Sequence, residues 1–307
     1  MEIKKSIVKF LQENACVLEG EKILVICNKG YDLLALNIKE SAEESGFSCR
    51  IMEVENLKLD NESETDKIFS GCDVILTNTG VSLFHNPVIN KYARLGKKVV
   101  SLTGADPGTF TGAAAEADFR QIAPEAIKLA EHLTEAKHMR ITTEKGTDIE
   151  GVVTGRKANA ETGINLYKNP SVFPDIEVNT SVVEATCNGK IVVDLCITKI
   201  GKIDSPLFLE IAGGKLISIK GEQAEEVLGW IRSFNDPNMF QVAEFGFGLN
   251  PNAEIMGNII EDEGKLGTAH IGFGNNLFMG GRSQAISHFD VGFDKAQIFL
   301  DGHLLIY

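Results

Sequence analysis

Between Lys22 and Leu102 short apolar runs alternate with helical patterns, and this alternation restricts the fold of the chain more than any other feature. Lys22-Ile-Leu-Val-Ile-Cys27 is a run of strand type, and a helical pattern follows from Asp32 to about Ser45, closing at Gly46. Phe47 to Val54 is a second strand-like run, and a polar helix-like segment surrounds Asp66. Asp73-Val-Ile-Leu-Thr77 is a third strand, Pro87 to Leu95 a helix stopped by Gly96, and Lys97-Lys-Val-Val-Ser-Leu102 a fourth strand. Repeated strand–helix–strand units predict a doubly wound, mainly parallel sheet with helices on both faces. Such sheets take ligands at the carboxyl ends of their strands. The loops there, Thr77-Asn-Thr-Gly80 and Thr103-Gly-Ala-Asp-Pro-Gly108, match no nucleotide fingerprint, and Asn28-Lys-Gly30 follows the first strand where G-x-G-x-x-G would stand. Gly104 and Gly108 read as turn residues, and His85-Asn86 as a turn or helix start ahead of Pro87.

A helical stretch from Pro124 to about Ala136 leads out of this region, and from Met139 the texture changes. Ile141-Thr-Thr, Ile149 to Val153, Ile191 to Asp194, Leu207 to Ile211 and Lys215 to Ile219 are short β-like segments broken by Gly, Asn or Pro. One helix, Glu222 to about Ser233, interrupts them and carries Glu225, Glu226 and Arg232 on a solvated face. A chain of 307 residues exceeds the usual single core. The reading is therefore an α/β N-terminal domain over 1–138 and a mainly β (α+β) metal-binding domain over 139–307.

Composition excludes several classes. The net charge of −13, with no Lys/Arg cluster, argues against nucleic acid or an anionic membrane as partner. No run approaches the roughly 18 apolar residues of a membrane span. Met-Glu-Ile-Lys-Lys-Ser also lacks the apolar stretch of a signal peptide, so a cytoplasmic protein is expected. Six cysteines are scattered without a C-x-x-C pair, which predicts reduced core thiols and leaves metal binding to nitrogen and oxygen.

The chemistry gathers in the second half. His288-Phe-Asp290 in an extended strand points both polar side chains to one face, so that one ion can be held by both, and His270 lies upstream in Gly267-Thr-Ala-His-Ile-Gly-Phe-Gly274. Taken alone, H-x-D is also an ordinary polar strand pair. Glu244 stands as a single charge in Val242-Ala-Glu-Phe-Gly-Phe-Gly-Leu-Asn250, costly to bury unless paired or metal-bound, among glycines that let backbone approach closely. Glu263 lies just ahead of His270, and Glu177, in Phe173-Pro-Asp-Ile-Glu-Val, passes on its own as a surface residue.

In their order these segments resemble the M29 metallo-aminopeptidases, the aminopeptidase T group and especially its shorter leucyl-aminopeptidase-like members. The match is carried by Glu177-Val, Val183-Glu-x-x-x-Asn-Gly189, Ile191-Val-Val-Asp194 and Ala243-Glu-Phe-Gly-x-Gly-x-Asn250. It continues through Asp262-Glu-x-Lys-x-Gly-Thr-x-His270-Ile, Gly280-Gly281, His288-x-Asp290 and Leu300-Asp-Gly302, with Asp73-Val-Ile, Ser82-Leu and Gly146-Thr-Asp148 in the first half. The resemblance implies two divalent ions (Zn, Co or Mn) on Glu177, Glu244, His270, His288 and Asp290, a metal-activated water, and a peptide or small-molecule amide substrate cleaved at its N-terminus. It leaves Glu263 or Glu184 to move the proton from water to the leaving amine, or to orient a histidine. It also implies a homodimer.

One position departs from that pattern. The longer peptidases carry a catalytic tyrosine seven residues after the first ligand histidine, and this chain has Leu277 there, leaving Tyr167 as the nearest substitute. The dihydroxypyridine dioxygenases resemble the same peptidases, and two His plus one carboxylate is also the ligand set of non-haem Fe(II) oxygenases, which His270, His288 and Asp290 satisfy. Retention of Glu177 and Glu244 favours the dinuclear hydrolase; the missing phenol favours the Fe(II) alternative, or a binding protein without activity.

Overall fold

The computed structural model describes residues 3–54, 62–83, 86–165 and 170–307, with 62–65 and 87 described in backbone alone. The chain divides into two compact units, Met1–Arg120 with Thr162–Pro174, and Gln121–Glu161 with Asp175–Tyr307.

In the first unit a helix that the sequence pattern did not single out, α1 (Ile3–Glu13), precedes β1 (Lys22–Cys27), α2 (Asp32–Glu44), β2 (Ser48–Glu53), α3 (Glu62–Ser70), β3 (Val74–Asn78), α4 (Pro87–Arg94), β4 (Lys98–Ser101) and α5 (Pro107–Thr111). Helix α6 (Phe119–Glu135) then leads into the second unit through β5 (His138–Thr142), β6 (Asp148–Val152) and β7 (Asn159–Glu161), before β8 (Ser171–Val172) returns to the first. The sheet order is β2-β1-β3-β4-β8, every pairing parallel. Strands β1 and β3 are apolar runs because helices cover both of their faces: Ile23 to Cys27 and Val74 to Leu76 are buried. The doubly wound sheet expected from the alternation is present.

Helix α6 begins five residues before the expected start, so Pro124 lies inside it. A proline there lacks one intrahelical amide, a loss that the buried Ala126, Leu129, Ala130 and Leu133 offset by packing. The two loops that follow β3 and β4 carry local bonds of their own. Gly80 N donates to Asn28 Oδ1, and Asp106 caps Thr109 N in a capping box.

The second unit continues with β9 (Glu177–Ser181), β10 (Asn188–Val193), β11 (Cys196–Ile197), β12 (Gly201–Lys202), β13 (Leu207–Ala212), β14 (Lys215–Lys220) and α7 (Ala224–Ser233). It ends with β15 (Val242–Gly248), α8 (Ile259–Glu263), β16 (Ala269–Gly274), β17 (His288–Phe293), β18 (Gln297–Leu300) and β19 (His303–Leu304). Two antiparallel sheets result, β14-β13-β10-β6-β5-β18-β19 and β12-β11-β17-β16-β15-β9-β7. The second sheet positions the site. On one face its central strands bury Phe245, Phe247, Ile271, Phe273 and Phe289, with Phe273 and Phe289 stacked at 5.2 Å. A Cβ on Gly151 of β6 would lie 3.4 Å from Phe245, so this face packs on the other sheet as a sandwich. Each such phenylalanine contributes roughly 1.5–3 kcal/mol by leaving water, which fixes register and turns every alternate residue of β15, β16 and β17 to the opposite face. All six cysteines are unpaired, five of them buried. Among the described residues no helix is long and apolar enough to cross a membrane.

Candidate metal centre

The face opposite the phenylalanines carries the polar residues in rows. Ser181, Glu244, Gly272 and Asp290 stand in register across four strands, and Asn179, Gly246, His270 and Gly292 form the next row. Glu177 pairs with Gly248 on one side and Glu161 on the other, and His288 faces Gly274. A bulge between Val242 and Glu244 shifts the alternation by one residue and turns Glu244 onto this face. Glycine opposite each large side chain gives it room. A Cβ on Gly246 would meet His270 Cε1 at 2.1 Å, and one on Gly272 would meet both Glu244 Cβ and His288 Cε1 at 2.7 Å.

The five predicted ligands are therefore brought together and buried or nearly so. His288 Nε2 lies 3.0 Å from Glu244 Oε2 and 3.1 Å from Asp290 Oδ1; His270 Nε2 lies 3.6 Å from Glu244 Oε1, and its Nδ1 3.5 Å from Glu177 Oε2. Glu263 joins Glu177 and His270 within one ligand-sized cluster, while Glu244, His270 and Asp290 form a second. Glu184 is elsewhere: Arg156 Nη2 donates to its Oε2 at 2.6 Å, and Arg282 N and Asn276 Nδ2 donate to its Oε1. Partial burial acts to raise the Glu184 pKa, but these donors hold the carboxyl below the usual range. Leu277 is half exposed on a 3-10 turn, Leu277–Met279. Tyr167 and His85 lie outside the described residues.

Two acids went unnoticed in the sequence. Asp175 is buried beside Glu177, two residues ahead of it and outside β9, where strand alternation does not reach. Glu161 joins through the three-residue strand β7, whose long-range pairing has no local signal. Burial first, then Glu177 and Glu244, push the Glu161 carboxyl up to about 8. Burial first, then Glu177 and Glu161 at Asp175, and Asp290 and Glu177 at Glu263, raise both carboxyls well above the carboxylate range.

The donor set fits a divalent cation. His288 Nδ1 lies 2.7 Å from the Asn275 carbonyl, which accepts only, so that nitrogen carries the proton and a neutral ring turns a lone pair at Nε2 toward two carboxylate oxygens. Acceptors converging in this way require positive charge between them. Metal-free, the rings take up that charge: burial acts to lower both imidazole pKa values, but Glu177 and Glu244 at His270, and Asp290 and Glu244 at His288, outweigh it and raise both. Glu177 Oε2, Glu263 Oε2, Asp175 Oδ1 and His270 Nδ1 are buried without a hydrogen bond, an arrangement a bound cation relieves.

The raised carboxylate has a consequence for stability. A folded-state pKa above the unfolded value means that Glu263 destabilises the metal-free protein above about pH 4.3, where the unfolded chain ionises freely. Glu263→Gln should therefore stabilise the metal-free protein at pH 7 by on the order of 1–2 kcal/mol. The gain should vanish near pH 4, as checked by urea denaturation of both proteins at both pH values.

The antiparallel sheet with histidines and acids on one face defines a metal-site α/β protein. The profile of the family described as NicX: 2,5-dihydroxypyridine 5,6-dioxygenase matches residues 22–307, and the chain belongs to that family. The curated 2,5-dihydroxypyridine 5,6-dioxygenase of Pseudomonas putida KT2440 is 30% identical over 108 residues, 32% of this chain and 31% of that protein, so the matched stretch spans about a third of the relative. The solved structure of 2,5-dihydroxypyridine dioxygenase from Pseudomonas putida KT2440 superposes with a TM-score of 0.79 at 16% identity, covering 99% of this chain and 95% of that one. AmpT from Thermus thermophilus superposes with a TM-score of 0.68 at 14% identity, covering 99% of both chains. The fold shared with AmpT accords with the M29 resemblance. The expected activity does not survive: the family profile and the curated relative replace the aminopeptidase, and with it the hydrolase and metalloprotease classes, by the dioxygenase branch. Leu277 agrees with that correction, since an aliphatic side chain donates no proton to a tetrahedral intermediate.

Proposed function

We propose that the chain is a mononuclear non-haem Fe(II) dioxygenase that opens the ring of a hydroxylated pyridine, with His270, His288 and Asp290 as the ligands. The observation that carries this reading is the direction of the two rings. His288 Nδ1–H is taken by the Asn275 carbonyl, and His270 Nδ1 faces Glu177 Oε2, so both Nε2 atoms turn toward the one place where Asp290 and Glu244 also lie. Two imidazoles and a carboxylate around one point make the ligand set of Fe(II) oxygenases. Fe(II) bound there would supply the one-electron chemistry that lets O2 react with a closed-shell aromatic ring.

The remaining groups orient and balance charge. Asn179 Nδ2 donates to Glu177 Oε1 at 2.5 Å, which holds the other oxygen of Glu177 3.5 Å from His270 Nδ1, where it would accept that nitrogen's proton if a metal were held at Nε2. Glu244 places one oxygen toward each histidine and offsets the ion's second charge. The cluster's excess of acid over base favours a cation, and its carboxylate oxygens would accept hydrogen bonds from substrate hydroxyls such as a hydroxypyridine carries.

The test is oxygen consumption by protein loaded anaerobically with Fe(II) and mixed with 2,5-dihydroxypyridine. One iron per chain, stoichiometric O2 uptake and both atoms of 18O2 in a ring-opened product are expected. Fully iron-loaded protein that consumes no O2 with any mono- or dihydroxypyridine overturns the assignment.

A further inference from the structure

We propose that Glu184 is a positioning residue that holds His288 in its metal-binding orientation through the loop 275–283. The inference rests on the metal-site part of the reading above and not on the choice of substrate. This loop is the first part of the 275–287 connection between β16 and β17, and its first carbonyl, Asn275 O, takes the proton of His288 Nδ1 at 2.7 Å. That carbonyl is aimed by the residue after it. Asn276 is fully buried, its Nδ2 donates to the bulge carbonyl of Ala243 at 3.1 Å, and its Oδ1 accepts from Ser283 N at 2.8 Å. Asn276 therefore fixes two backbone points at once, one beside Glu244 and one beside the peptide that holds His288.

Glu184 closes the arrangement from outside the metal cluster. Its Oε1 accepts from Asn276 Nδ2 at 3.2 Å and from Arg282 N at 2.6 Å, and its Oε2 accepts from Arg156 Nη2 at 2.6 Å. Arg156 Nη1 donates to the Gly280 carbonyl, so one guanidinium ties the carboxylate and the far side of the loop together. The pair is well shielded, with side-chain exposures of 10% for Arg156 and 23% for Glu184, and a partly buried ion pair of this kind holds geometry better than an exposed one. Within the loop Asn276 N donates to the Ser283 carbonyl and Gly281 N to the Asn276 carbonyl, and Gly281 packs so closely that a Cβ there would fall 2.1 Å from Asn276 Cγ, so the carboxylate and guanidinium bear on a turn built around Asn276. Without the carboxylate, Arg282 N and Asn276 Nδ2 lose an acceptor and Arg156 its counter-charge, and the turn that aims the Asn275 carbonyl is held by its remaining backbone bonds alone.

The experiment compares wild type, Glu184→Ala and Arg156→Lys in two measurements. One is Zn(II) affinity by competition with a chromophoric chelator. The other is solvent exchange of the His288 Nδ1 proton in 15N-histidine-labelled, zinc-loaded protein, with His270 as internal reference. Glu184→Ala should bind zinc about 10-fold more weakly, the scale of a lost outer-sphere partner, and should exchange the His288 proton faster while His270 is unchanged. Arg156→Lys, which keeps the charge but loses the fork to Gly280, should move both readouts the same way by about 3-fold, and it carries the test if the alanine variant does not fold. A folded variant with zinc affinity within 2-fold of wild type and unchanged His288 exchange overturns the proposal. Wild type that binds no divalent ion overturns the metal-site reading itself.

Discussion

His270→Ala is expected to lower affinity for Fe(II) or Zn(II) by more than about 10³-fold, over 4 kcal/mol, and to abolish O2 uptake. His270 is the residue common to both ligand-sized clusters, one with Glu177 and Glu263, the other with Glu244 and Asp290. No repositioning of the sheet replaces it, because Gly246 and Gly292 flank it in register and offer no side chain. The substitution also acts on the metal-free protein. There the ring's positive charge lies near Glu177 Oε2 and Glu244 Oε1, and removing one partner of a buried charged cluster costs about 3–5 kcal/mol. Metal content by elemental analysis and urea denaturation without metal check the two effects separately. Retention of one ion per chain with affinity within 10-fold of wild type would show that the ion lies elsewhere.

How far the site was legible depends on the range of the signal. Period-two alternation is local, so His288-x-Asp290 is correctly expected to share a face, and the isolated charge of Glu244 among apolar residues is correctly marked as needing a partner. The alternation of the first 102 residues is equally local, and the parallel sheet follows from it. What escapes is set by pairing across the chain. Glu161 reaches the cluster only because β7 pairs with β9, and the bulge that turns Glu244 is a mismatch between two strands that neither strand shows alone.

The sequence favours the wrong reaction class for a chemical reason. Keeping Glu177 and Glu244 reads as a demand for two ions only if carboxylates beside imidazoles have no other work. In the structure Glu177 is held by Asn179 with its second oxygen toward His270 Nδ1, a placement that serves to orient a ring as well as to bind a metal. Such residues do not count ions. Leu277, by contrast, bears on the reaction itself, and it pointed to the branch that the family match supports.

Gly246→Ala is expected to disable the centre without touching a ligand. The added methyl would lie 2.1 Å from His270 Cε1 and 2.2 Å from Nε2, far inside contact distance, and the obstructing atoms belong to a ring confined by the sheet rather than to the free end of a flexible chain. Either the ring rotates away from Glu244, and metal affinity falls by about 10²-fold or more, or β15 shifts, and overpacking lowers stability by about 1–3 kcal/mol. Gly272→Ala should do the same to His288, less severely, since its nearest ring atoms are at 2.7 Å. Gly229→Ala in helix α7, where a Cβ meets nothing within 4 Å, is the control and should stabilise the protein by up to about 1 kcal/mol. Calorimetric zinc titrations and thermal melts of the three variants give the order. Wild-type metal affinity in Gly246→Ala would mean that His270 does not bind the ion in the rotamer seen here, and with it the convergence of the two Nε2 atoms, on which the single-iron reading stands, would fail.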